Sequence, residues 1–132
     1  YFNKIREVLK PNGKAIIQTI IMKEDYYEGY HDWPDFIQTY IFPGGELSSD
    51  KVFKKIAGQS NLAASGVTTM ANSYAKTLEI WFNNFQQKWS EINEIGFDDK
   101  FKRTWEMYLA YCRGGFLNGQ LDVVQYKLTH KS

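Results

Sequence analysis

Phe2, Ile5, Val8 and Leu9 recur at helical spacing with Asn3, Lys4, Arg6 and Glu7 between them, which predicts an opening helix. Lys10-Pro11-Asn12-Gly13 ends it, because proline brings no amide hydrogen and glycine tolerates positive φ. Lys14 to Met22 is then almost continuously apolar and β-branched, the pattern of a strand buried on both faces of a parallel sheet. Such a strand needs neighbours that little of the preceding chain supplies. The chain is therefore expected to be the C-terminal portion of a longer protein, a single partial domain over residues 1–132. From Lys23 to Ser49 the periodicity is lost: Glu24 to Asp35 is acidic and aromatic, Asp35 to Ile41 fits a short helix, and Phe42-Pro43-Gly44-Gly45 is a turn.

Ser49 or Asp50 can cap a helix reaching about Gln59, with Val52, Phe53 and Ile56 on its apolar face. Gly66 to Met70 is a strand candidate. A long helix capped by Asn72 or Ser73 follows, its stripe running Tyr74, Leu78, Trp81, Phe82, Phe85, Trp89, Ile92. Asp98 caps another, with Phe101, Trp105, Tyr108, Leu109, Cys112 and Phe116 on one side and Gly114-Gly115 weakening its last turn. Leu121 to Leu128 alternates in the manner of a closing strand. Helix, strand, helices, strand, helices, strand is the order of the C-terminal half of a doubly wound α/β sheet.

Charge narrows the function classes. Sixteen basic against fifteen acidic residues leave a net charge of +1, which gives no electrostatic footprint for nucleic acid. The one cysteine, Cys112, excludes an internal disulfide framework and fits a reducing, cytoplasmic setting. No apolar run is long enough to span a bilayer. Four Trp, nine Tyr and nine Phe are an aromatic excess that serves either a core of large side chains or an apolar cavity.

Walker, nucleophile-elbow and zinc-type cysteine motifs are absent, and Gly114-Gly115 with Gly119 follow a helix instead of joining a strand to one. His31 lies near Glu28, Asp32 and Asp35, but a proline-containing loop fixes no coordination geometry, so it reads as a surface histidine and no metal site is assigned. His130 reads as tail, and Cys112 as a small hydrophobe on a helix stripe. Tyr74 is either the first residue of its stripe or a hydroxyl at the rim of a cleft. Gln18, the one amide in its strand, needs partners if buried: backbone, or a polar site at the strand end.

Leu9-Lys10-Pro11-Asn12-Gly13 resembles the segment before the fifth strand of Rossmann-like SAM-dependent methyltransferases. Tyr40-Ile41-Phe42-Pro43-Gly44-Gly45-Glu46-Leu47, then Ser73-Tyr74-Ala75-Lys76-Thr77-Leu78 with Trp81, resemble the cyclopropane-fatty-acyl-phospholipid synthase family. So do Tyr108-Leu109-Ala110-Tyr111-Cys112, Phe116 and Asp122-Val123-Val124-Gln125-Tyr126. The resemblance implies an α/β fold with a mixed sheet and several helices, the C-terminal half of a Rossmann-like methyltransferase. It also implies S-adenosyl-L-methionine as cofactor and methyl transfer to the cis double bond of an unsaturated phospholipid at the membrane surface, followed by ring closure. A carbocation on that path needs a dry cavity, and aromatic faces can stabilise it.

By the same resemblance, family members hold a bicarbonate near the reacting carbon. Tyr74 matches the tyrosine that hydrogen-bonds it, the Ile20 backbone matches another contact, and Gln18 stands where histidine is frequent. An amide donates a hydrogen bond to an anion but does not titrate. The family's other anion-site residues, a cysteine and a glutamate, fall upstream of this chain, and Cys112 matches a different position. The glycine-rich SAM loop and acidic ribose-binding residue belong to the N-terminal half of such enzymes, so the chain alone is expected to bind SAM poorly and to be inactive. Trp33, Phe36, Phe42, Trp81 and Phe82 are the candidates for the acceptor cavity. Two other readings stay open: a methyltransferase of this fold acting on an amine or small soluble acceptor, and a non-catalytic module whose open strand edge pairs with a second copy as a homodimer.

Overall fold

The computed structural model describes residues 1–131, which form two compact units. The sheet unit comprises Tyr1–Gly29, Leu47–Met70 and the C-terminal segment from Leu121; the helical unit comprises Tyr30–Glu46 and Ala71–Gln120.

In the sheet unit the opening helix α1 (Phe2–Val8) ends at a tight turn in which the Gly13 amide donates to the Lys10 carbonyl at 2.8 Å. A Cβ on Gly13 would sit 3.0 Å from both Leu9 Cδ1 and Lys10 O, so the turn admits no larger residue without movement. Strand β1 (Ala15–Met22) follows, then a four-residue helix α2 (Glu24–Tyr27), the short strand β2 (Ser48–Ser49), helix α3 (Asp50–Gln59), strand β3 (Leu62–Thr69) and finally β4 (Leu121–His130). The strand order is β2-β1-β4-β3. β4 runs antiparallel to both β1 and β3, while β2 pairs parallel to β1 only at Ile21 and Met22.

The sheet is thus mixed, and β1 departs from the fully buried parallel strand that its sequence suggests. Alternation decides its faces. Ala15, Ile17 and Ile21 point to the core, whereas Ile16, Gln18 and Ile20 share the other face, with Ile16 60% exposed. On β4, Val124, Tyr126 and Leu128 meet that core face beside Phe53, Ala57 and Leu62. Phe2, Ile5 and Leu9 of the opening segment pack on the same cluster, but Val8 points to solvent.

Tyr126 anchors the cluster. Its ring is fully buried and stacks on Phe53 at 4.0 Å, and its hydroxyl donates to Asp50 Oδ1 at 2.7 Å. Burial and this carboxylate push the Tyr126 hydroxyl well above the ordinary tyrosine value. Burial works to raise the Asp50 carboxyl, but hydrogen bonds from Lys54 and Tyr126 and the Lys54 charge outweigh it and leave it below its usual range.

Helix α3 begins where expected: Ser49 is the N-cap and its hydroxyl accepts from the Val52 amide at 3.3 Å. Asn61, at φ 56°, turns the chain out of α3 into β3. β3 starts at Leu62, four residues before the predicted Gly66, because Leu62 and Ala64 pair with His130 and Leu128 over the core; a bulge lies between Gly66 and Thr68. His130 is no loose tail. It closes β4, and its ring Nε2 lies 2.9 Å from the Leu9 carbonyl.

The helical unit opens with a loop carrying one turn of π-helix, Ile37–Ile41, in place of the short helix expected from Asp35. Helices α4 (Ala71–Gln87), α5 (Trp89–Glu94) and α6 (Asp99–Leu117) follow. The single long helix predicted from Tyr74 to Ile92 is therefore broken at Lys88, and Asn72 and Ser73 lie within its first turn instead of capping it. Asp98 caps α6 as expected, accepting from the Phe101 amide at 2.8 Å, and α6 continues through Gly114 and Gly115. Leu78, Phe85, Leu109 and Phe116 are the buried large residues between α4 and α6, and Gln86 of α4 donates to Glu106 of α6.

Candidate functional site

The candidate residues fall in both units. In the sheet unit the pleat of β1 places Gln18 and Ile20 two residues apart on one face. The antiparallel register sets Gln18 opposite Gln125 and Ile20 opposite Val123. Gln125 Nε2 donates to Gln18 Oε1 at 3.0 Å, which directs the Gln18 carbonyl oxygen to β4 and makes its amide nitrogen the end that points the other way. Gln18 is thus neither buried nor at the end of β1; it stands mid-strand on the exposed face, and its oxygen accepts from another side chain. The Ile20 carbonyl accepts from Thr19 Oγ1 at 3.2 Å.

At the end of the same sheet Asp122 is a buried carboxylate. Its Oδ1 accepts from the Val123 amide at 2.8 Å and the Met70 amide at 3.1 Å, and Lys23 Nζ stands 3.8 Å from Oδ2. It thereby fixes the backbone of the residue that immediately precedes α4.

In the helical unit Tyr74 lies in the first turn of α4, half-buried, with its ring 5.6 Å from that of Phe116. The five aromatic candidates for an acceptor cavity occupy different settings. Trp33 lines a cavity of about 330 Å³ in the Tyr30–Glu46 loop, with Tyr30, His31 and Glu46. Phe82 lines a second, of about 290 Å³, between α4 and α6, with Leu109 and Arg113. Phe36 packs against Tyr40 and Tyr111, and Phe42 meets Tyr108 edge-on at 6.1 Å. Trp81 is mostly exposed on α4.

The loop itself is firmly built. Asp35 Oδ1 accepts from the Gln38 amide at 2.9 Å while Gln38 Oε1 accepts from the Asp35 amide at 3.0 Å, a reciprocal box. Gln38 Nε2 then donates to the Gly45 carbonyl at 3.2 Å. Tyr111 donates to Asp35 Oδ2 at 3.2 Å and ties the loop to α6. Burial first, and then the Asp35 carboxylate, raise Tyr111 above the usual tyrosine value. The same two causes push the Cys112 thiol up to about 11, so it stays protonated at neutral pH, in keeping with a packing role. His31 Nδ1 lies 3.3 Å from Glu46 Oε1. Among the described residues no group of three or more His, Cys, Asp or Glu converges as a metal site.

Comparison with known proteins places this architecture. The profile of the mycolic acid cyclopropane synthetase family matches residues 1–126. The chain belongs to that family. It is 37% identical over 129 residues to the tuberculostearic acid methyltransferase UfaA1 of Mycobacterium tuberculosis, covering 97% of this chain and 30% of the relative. It is 29% identical over 116 residues to the cyclopropane-fatty-acyl-phospholipid synthase of Escherichia coli, covering 88% of this chain and 29% of the relative. Among solved structures, mycolic acid cyclopropane synthase CmaA1 complexed with SAH and CTAB superposes with a TM-score of 0.84 at 24% identity, over 96% of this chain and 47% of that one. The chain thus spans about a third of the length of these curated relatives. Its mixed sheet and helices are part of the methyltransferase fold, as the motifs from Leu9 to Tyr126 suggest.

The family uses a nucleotide-derived methyl donor by resemblance, so the glycines bear on whether this chain could hold one. Gly44, Gly96 and Gly119 have positive φ, but they follow the π-turn, join α5 to α6 and join α6 to β4. None links the carboxyl end of a strand to a helix N-terminus, where such a donor is cradled. These three glycines therefore do not form the glycine-rich cradle of the methyl donor.

Proposed function

We propose that this chain is the acceptor-side portion of a SAM-dependent methyltransferase that modifies the cis double bond of an unsaturated phospholipid acyl chain and closes it to a cyclopropane. The match of the family profile across residues 1–126 carries this reading. The methyl donor is held by residues outside this chain, and the acceptor lies at a membrane surface. No described helix is long and apolar enough to cross the membrane itself.

This chain's own part is to hold an anion. The amide of Gln18, its oxygen held by Gln125, donates to a bicarbonate, with the Ile20 backbone beside it on the same face of β1. Tyr74 of the helical unit is assigned to anion binding by its match to the family motif alone. A bicarbonate held there would supply the proton acceptor for ring closure; Gln18 would orient it by hydrogen bonding and not take the proton, because an amide has no titration near neutral pH. The apolar side chains Ile16 and Ile20 flank Gln18 on that face.

Mass spectrometry of unsaturated phospholipid vesicles incubated with SAM and the full-length protein tests this. The expected result is a gain of one methylene per modified chain with loss of the double bond, and no change with residues 1–132 alone. A full-length protein that binds SAM but leaves the lipid unchanged would overturn the lipid acceptor in favour of a soluble one.

A further inference from the structure

We propose that the loop Tyr30–Glu46 holds an organic ammonium group in its own cavity, between the aromatic faces of Tyr30 and Trp33 and the carboxylate of Glu46. Three observations carry this. The loop contains Asp32, Asp35 and Glu46 and no lysine or arginine, so the field in its 330 Å³ cavity favours a cation and opposes phosphate or carboxylate. Asp35 is already engaged by Gln38 and Tyr111, which leaves Glu46 as the carboxylate that lines the cavity, 3.3 Å from His31.

Trp33 is 84% exposed while lining a concave surface with Tyr30, and an electron-rich indole face in a negative field is the chemistry that recognises alkylated ammonium groups. The unit shows the same pairing internally, where Lys102 Nζ stands 5.2 Å from the Trp89 ring centroid. Finally, the walls are fixed before any ligand arrives. Gln38 and Gly45, both lining the cavity, are joined by the bond from Gln38 Nε2 to the Gly45 carbonyl, and the Gly45 amide donates to the Phe42 carbonyl at 2.8 Å. An acyl chain would meet the polar side chains of His31, Gln38 and Glu46 in the lining, which suit it poorly.

The ammonium group could arrive on a phospholipid headgroup or on a free amine; the headgroup source rests on the phospholipid reading above, whereas the cation site does not. The test uses full-length protein without SAM, so it stands apart from any methylation assay. Choline and its neutral isostere 3,3-dimethyl-1-butanol are titrated by calorimetry, and pelleting is measured with phosphatidylcholine and phosphatidylglycerol vesicles. Choline is expected to bind about tenfold tighter than the isostere, with Trp33→Ala and Glu46→Gln each weakening it about tenfold and Trp89→Phe leaving it unchanged. Glu46→Gln keeps size and shape, so its effect separates charge recognition from misfolding. Pelleting with phosphatidylcholine that depends on Trp33 identifies a headgroup; choline binding without it identifies a soluble amine, and either supports the site. Equal affinity for choline and isostere, no choline binding, or indifference to both Trp33→Ala and Glu46→Gln would overturn it.

Discussion

The two units bury aromatic and aliphatic residues in opposite ways. In the sheet unit the interior is closed: Leu62, Tyr126 and Leu128 have no exposed surface, and Phe53 stacks on Tyr126 within the buried core. In the helical unit the aromatics form a series that starts at exposed Phe97, just before α6, and continues half-buried along α6, Phe97 to Phe101 at 4.4 Å, Phe101 to Trp105 at 5.5 Å and Trp105 to Tyr108 at 5.0 Å. Trp33, Tyr40, Phe42 and Trp81 of the same unit are exposed. Burial per residue is what stabilises a fold, whereas partly exposed rings offer surface to a ligand. The sheet unit is therefore built for stability and the helical unit for contact.

Substitution should separate the two most sharply at the core. Leu128→Ala is expected to cost about 4 kcal/mol in urea unfolding, because the strand above and below cannot collapse into the void. Trp105→Ala, which removes more atoms from a half-buried site, is expected to cost only about 2 kcal/mol. Equal losses would erase the distinction drawn here.

Next in size is a function of the exposed faces. Tyr74→Phe is expected to lower turnover of the full-length protein about a hundredfold by removing a donor to the anion, with little loss of stability. Gln125→Ala removes the side chain that holds the Gln18 oxygen and is expected to cost about tenfold in turnover, measured in the same vesicle assay. If Gln125→Ala has no effect, the bond from Gln125 does not position Gln18 for turnover.

The titrating groups give a smaller and signed effect. Because the native Tyr126 hydroxyl is raised, its stabilising contribution is full below the unfolded tyrosine value of about 10 and is lost as pH rises from there towards the native value. Tyr126→Phe should cost about 1–2 kcal/mol at pH 8 and make the alkaline fall in urea midpoint shallower. It should not abolish that fall, since Tyr108 and Tyr111 of the helical unit are also raised, chiefly by burial. Asp50 works the other way: its lowered carboxyl stabilises above the unfolded aspartate value and the contribution is lost as pH falls through the native one. Smallest of all are the helix caps, where Ser49→Ala in one unit and Asp98→Ala in the other should each cost about 1 kcal/mol, read from the same urea curves.

These caps were legible in the sequence because they are local: a serine or aspartate before an amphipathic stripe states its own role. The same holds for α3, α6 and β4. What the sequence hid depends on partners far along the chain. Leu62-Ala63-Ala64 has no marked strand propensity and becomes β3 only because β4 lies beside it. The break at Lys88 has no glycine or proline to announce it. β1 reads as buried twice over, since its isoleucines do not reveal which face this chain covers.

The candidate site divides similarly. Tyr74, Gln18 and Ile20 stand out by motif resemblance, which does not reveal the Gln125 partner, because the register that sets it opposite Gln18 joins segments more than a hundred positions apart. His130 was missed for the same reason, its contact being at Leu9.

The pairing of β1 has a practical consequence for anyone preparing these residues by themselves. On the side away from β4, the described residues hydrogen-bond this strand only at Ile21 and Met22, through β2. The run Ala15–Met22 carries no charged residue and no proline, the usual guards of such an edge. A solution of the isolated segment should consequently have a ceiling of concentration above which strands add to one another. Shelf life would then be governed by how much protein is in the tube rather than by how well each molecule is folded.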